Sequence, residues 1–250
     1  MSPIDWCIDG LPEGIHKLLK SYVKDITKVY GNELESIILY GSAVRGEFLP
    51  GVSNLNVLLI VSSYNLSVLK QYDSLHTRWS KEQVVVPLFL TKADLESAST
   101  AFPLEYQDIL DWHRLLWGQD PFVGFKVDAR YLTAEVVQGL RGNLFRLRQR
   151  LVEGRSTEEA ITILLPLSIT ALLPVLRGFQ RLLGRPVMKH GEPLLSDIES
   201  HLEIDLTGLR DALALKRGHI SPGQKEIPRL MDRYLECLAR LVTTAEARIT

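Results

Sequence analysis

With 250 residues, 46% of them apolar and 24% charged, the chain carries enough apolar material for one large or two ordinary packed domains, and global disorder is excluded. A formal net charge of −1 and a pI near 6.6 exclude the overall basic field that would draw a protein onto nucleic acid. Cys7 and Cys237 stand at opposite ends with no metal spacing, which fits a reducing cytoplasmic interior and excludes a disulfide framework.

The first ten residues lack the basic start and apolar core of a signal peptide, so export is not expected. Residues 12–30 place Ile15, Leu18, Leu19, Tyr22, Val23, Ile26 and Val29 at i, i+3, i+4, i+7 spacing, with four lysines off the stripe. This predicts an amphipathic helix ending at Gly31. Residues 37–40 and 57–61 are aliphatic runs bounded by Gly, Ser, Asn and Pro, which read as two buried strands. Between them, Gly41 and Ser42 follow the first strand and Gly46 closes a turn. Glycines there let backbone N–H groups converge beside a hydroxyl, a suitable cradle for phosphate.

At residues 41–56 the sequence resembles the nucleotidyltransferase superfamily of DNA polymerase β and kanamycin nucleotidyltransferase, in its small bacterial form. That family shows Gly-Ser, a short loop, and then Ser-Asp-x-Asp opening the next strand. Here Gly41-Ser42-Ala43-Val44-Arg45-Gly46 matches the first half, whereas the second half is Ser53-Asn54-Leu55-Asn56. The resemblance implies nucleotidyl transfer from a nucleoside triphosphate to a hydroxyl, with two divalent ions held by carboxylates. Both aspartates are asparagine in this chain, and residues 84–90, where a third carboxylate is expected, contain none. Alternate strand residues point the same way, so Asn54 and Asn56 both face the site, with the shape of the ligands and without their charge. A neutral set cannot offset the cost of dehydrating magnesium, so the metal site reads as lost and no cofactor is expected.

The resemblance implies an α+β fold: a nucleotidyltransferase-like mixed sheet with flanking helices over residues 1–130, then an all-α helical bundle over 131–250. Residues 65–79 read as one crossover helix leading to a third strand at 84–90, in which Pro87 signals an edge position. Glu105, Asp108 and Asp111, spaced by three, share a helix face read as solvated. Residues 113–118 form a short fourth strand. From residue 133 onward only helical patterns follow. Arg141, Arg146, Arg148 and Arg150 read as a solvated face, and residues 160–176 as a buried helix kinked at Pro166 and Pro174 rather than a membrane span.

The function expected is that of a pseudoenzyme, a binding or scaffolding module that retains a nucleotide or other phosphate through Gly41, Ser42, Arg45, Gly46 and Ser53. The alternative is an active transferase with magnesium on Asn54, Asn56 and an acid such as Glu105 or Asp108. A cytoplasmic homodimer without membrane or nucleic-acid partners completes the expectation.

Overall fold

The computed structural model describes residue 8 and residues 11–249. Cys7 and the N-terminal stretch weighed as a signal sequence, Ile8 apart, lie outside the described residues. The chain divides into two compact units, Met1–Val127 and Asp128–Thr250.

In the first unit, helix α1 (Glu13–Tyr30) buries Leu19, Tyr22, Val23, Ile26 and Tyr30, the stripe read from the sequence. Strand β1 (Leu34–Tyr40) pairs antiparallel with β2 (Asn56–Val61) on one side and with β4 (His113–Gly118) on the other. Strand β3 (Leu88–Leu90) runs parallel to β2, giving the order β3-β2-β1-β4. Ile37, Ile38 and Leu39 are all fully buried because both faces of the sheet are covered. Ile37, Leu39, Val57 and Leu59 pack with the α1 stripe and Trp79. Ile38, Leu58 and Ile60 meet Leu95 of α5 (Lys92–Ala101) and Tyr106 and Ile109 of α6 (Pro103–Asp111). Each such aliphatic side chain contributes about 1.5–3 kcal/mol of burial.

Two expectations for this unit need correction. The single crossover helix is two, α3 (Leu66–Gln71) and α4 (Asp73–Trp79), because the Tyr72 amide turns back to the Leu69 carbonyl at 3.1 Å. That tighter turn swings the Tyr72 ring against Phe89, with centroids 5.9 Å apart. The third strand spans three residues rather than seven. Pro87 has no N–H to give and falls just before the three paired residues, while Val84 is joined only by an isolated bridge to Leu55, the residue before β2. Gly118 ends β4 with φ +87°, and a Cβ there would lie 2.0 Å from the Glu35 carbonyl oxygen. Only glycine fits.

The second unit is helical throughout its described residues: α7 (Ala129–Glu153), α8 (Glu158–Leu182), α9 (Gly191–Leu202), α10 (Thr207–Lys216) and α11 (Ile227–Ile249). Helix α8 stays continuous through both prolines and buries Ile161, Leu165, Ile169, Leu172, Leu176 and Phe179. Its most apolar stretch has a mean hydropathy of 2.0, enough by length and composition to cross a membrane, yet 44% of that stretch is buried within the protein. Helices α7, α8 and α11 are tied by a polar chain. Tyr234 Oη donates to Ser168 Oγ at 2.8 Å, Ser168 Oγ donates to Asn143 Oδ1 at 2.7 Å, and Asn143 Nδ2 donates to the Ser168 carbonyl at 2.9 Å. Arg141, Arg146, Arg148 and Arg150 of α7 are all exposed, and Arg141 adds a two-point surface pair with Glu246 of α11 at 2.5 and 2.6 Å.

Candidate functional site

The site expected from the sequence is the corner where β1 hands over to β2. Tyr40 and Asn56 face each other across the ladder, and residues 41–55 loop out between them. Gly41 has φ +82°, and a Cβ on it would stand 2.7 Å from Asn56 Nδ2. The glycine therefore serves both the backbone turn and the close approach of the Asn56 side chain.

The expected open loop is a single helical turn, α2 (Ser42–Arg45). The amides of Val44 and Arg45 both donate to the Gly41 carbonyl, at 3.1 and 3.2 Å, and Glu47 N–H donates to the Ser42 carbonyl at 3.0 Å. Gly46 closes the turn in the left-handed region at φ +71°. The amides of Ser42 and Ala43 and the Ser42 hydroxyl have no protein partner among the described residues. These are the donors that the phosphate expectation requires.

Arg45, expected to add its charge to phosphate binding, is paired with carboxylates of the protein. Its Nη1 lies 2.8 Å from Asp108 Oδ2 and its Nε 3.5 Å from Glu47 Oε2, with the side chain only 12% exposed. Asp108, at 16% exposed, consequently does not belong to a solvated acidic face, which corrects that part of the sequence reading. Asp111 does keep a surface role, accepting from Gln107 Nε2 at 2.9 Å. Glu105 is exposed as a residue, yet protein packed around its carboxyl raises its pKa, and the charge of Asp108 adds to the effect. The same crowding reaches Tyr40, whose hydroxyl is pushed up to about 12 by burial first, then by Glu105 and Tyr106. Two acids of α6 thus border the strand end opposite Asn56.

The remaining predicted residues divide. Asn54 is exposed in the loop, two positions before Asn56. Ser53 closes the adjoining turn: its Oγ accepts from Leu49 N–H at 3.0 Å and its N–H donates to the Leu49 carbonyl at 2.8 Å. Gly41, Ser42, Gly46 and Asn56 therefore share one corner, Ser53 supports it, and Arg45 turns toward α6. Asp108 as the partner of Arg45 was missed, and 63 positions of separation left no sequence signal for it. No group of three or more His, Cys, Asp or Glu able to hold a metal occurs among the described residues.

A mixed sheet with a Gly-Ser turn at the β1–β2 corner, followed by a helical C-terminal region, is a nucleotidyltransferase-like fold. The chain is similar to the crystal structure of spectinomycin adenyltransferase AAD(9) from Enterococcus faecialis, determined with ATP and spectinomycin. The TM-score is 0.57 at 10% sequence identity, over 92% of this chain and 99% of the other. No protein-family model matches the sequence, and neither does any curated protein.

Proposed function

We propose that this protein is a nucleotidyltransferase-fold binding module that holds a nucleotide or other phosphate at the Gly41–Gly46 turn and no longer performs metal-dependent transfer. The observation that carries this reading is the pairing of free donors with neutral ligands. The Ser42 and Ala43 amides and the Ser42 hydroxyl are unclaimed, while asparagines stand at both positions where the resemblance puts metal carboxylates. Phosphate needs only the first set, whereas magnesium needs charge at the second. The structural neighbour was crystallised with ATP, which supports a nucleotide as the ligand. Arg45 contributes its charge only when its pairs with Asp108 and Glu47 open, so binding is weak.

Calorimetric titration with ATP in chelator and in magnesium tests the reading, alongside an assay for pyrophosphate. Binding that is independent of metal, weakened by salt and lost in Ser42→Ala with Arg45→Ala is the expected result, with no pyrophosphate released. Magnesium-dependent pyrophosphate release would instead establish transfer and point to Glu105 as the compensating acid. Complete absence of binding would leave the pocket vestigial.

Self-association as a twofold pair accompanies this proposal. It rests on exposed apolar side chains of α7, notably Phe145 at 56% and Val152 at 78% exposure, which their seven-residue spacing places on one face of the helix. Light scattering that gives a single 28.2 kDa species at high concentration would reject it.

A further inference from the structure

A second site lies within the helical unit, independent of the nucleotidyltransferase reading. Between α7 and α8 runs a cleft of about 220 Å³ whose lining includes Asn143, Arg146, Arg150, Leu164, Leu167 and Ser168. Two of its polar residues are buried, Asn143 at 5% exposure and Ser168 at 8%. The Tyr234–Ser168–Asn143 chain described above fixes both side chains. An asparagine amide has two N–H donors, and Asn143 directs one to the Ser168 carbonyl. The other has no partner among the described residues.

Arg146 and Arg150 are one helical turn apart and exposed. Neither has a carboxylate partner among the described residues, in contrast to Arg141 on the same helix, which pairs with Glu246. The Arg146 guanidinium lies back along α7, so close that a Cβ on Gly142 would stand 2.9 Å from its Nη1. Leu167, 51% exposed, supplies an apolar wall on the α8 side. Unpaired guanidinium groups, a spare buried donor and leucine walls together define a ligand with an anionic head and a short apolar body.

We infer that this cleft binds a small apolar carboxylate, its oxygens on Arg146, Arg150 and the spare Asn143 N–H and its hydrocarbon part along Leu164 and Leu167. Planar guanidinium groups suit the two oxygens of a carboxylate. The volume lies below the roughly 300 Å³ at which pockets for drug-sized ligands begin, so the ligand has few heavy atoms and the affinity is of order 1 mM.

The test titrates the full chain, observed by ligand and amide NMR, with hexanoate, hexanol and acetate. Hexanoate should bind about tenfold more tightly than either control, because hexanol lacks the charge and acetate the apolar body. Arg146→Gln with Arg150→Gln, both surface changes that leave the fold's melting point in place, should erase that preference. Asn143 is left unchanged because its removal would disturb the core. Hexanol binding as tightly as hexanoate, hexanoate binding unaltered in the double variant, or no hexanoate shift at about 20 mM, well above the expected dissociation constant, would each overturn the assignment.

Discussion

Gly41 and Glu105 carry the sharpest consequences of single positions. Gly41→Ala forces an L residue to φ +82° and drives its methyl into Asn56, so it should destabilise the protein by about 2 kcal/mol or more. In an Asn56→Ala background the steric part vanishes and only the backbone strain, about 1 kcal/mol, remains. Denaturant melts of the four proteins in that cycle measure it; additive costs would mean that Asn56 does not abut the turn. Glu105 has a folded-state pKa raised by burial and by Asp108. Its protonated form is the better accommodated one, so the stabilisation it gives is present below the unfolded carboxylate pKa and is lost as pH rises through the folded value. Glu105→Gln should accordingly match wild type near pH 4 and melt higher at pH 7. A gap that instead widens toward acid would show that the carboxylate is stabilised by the fold.

At the scale of elements, the helical unit depends on one polar chain among apolar neighbours. Tyr234 is buried, which raises its pKa and keeps its hydroxyl a donor to Ser168. Ser168→Ala strands both Tyr234 Oη and Asn143 Oδ1, at a cost of about 1–3 kcal/mol. Adding Tyr234→Phe removes one stranded group, so the double variant should be less destabilised than the sum of the two single variants. Thermal unfolding of the cycle decides the matter, and simple additivity would mean that the three helices are joined by packing alone. The sheet shows a similar dependence on one residue type. Pro87 confines β3 to three residues at an edge, where its missing N–H leaves no ladder position empty.

For the whole molecule, the presence of asparagine rather than aspartate at positions 54 and 56 of the β1–β2 corner has a stability consequence. Asn54→Asp with Asn56→Asp should lower the melting temperature in chelator by a few degrees, about 1 kcal/mol, because two carboxylates two positions apart at the start of β2 repel where the isosteric amides do not. Exposure of Asn54 keeps the effect small, and added salt should reduce it further. An unchanged melting point at low salt would show that these positions are too solvated to interact. If magnesium restores stability to the double variant but not to wild type, the corner retains the shape of a metal site and lacks only its charge.

Local pattern was enough for most of the architecture. The α1 stripe, the aliphatic runs of β1 and β2, the apolar length of α8 and the Gly-Ser turn all follow from periodicity and from residues whose backbone preferences act within a few positions. Asn54 and Asn56 are likewise visible without coordinates. Partners distant in the chain were not legible, because attraction between charges carries no sequence spacing. In sequence Arg45 reads as a phosphate ligand and Asp108 as a solvated acid, yet folding brings α2 and α6 together and makes them a pair with little exposure. For the same reason Arg146 and Arg150 look no different from Arg141 in sequence. Only the packing of α7 against α8 and α11 decides that Arg141 finds Glu246, while the other two face a cleft with their charge unspent.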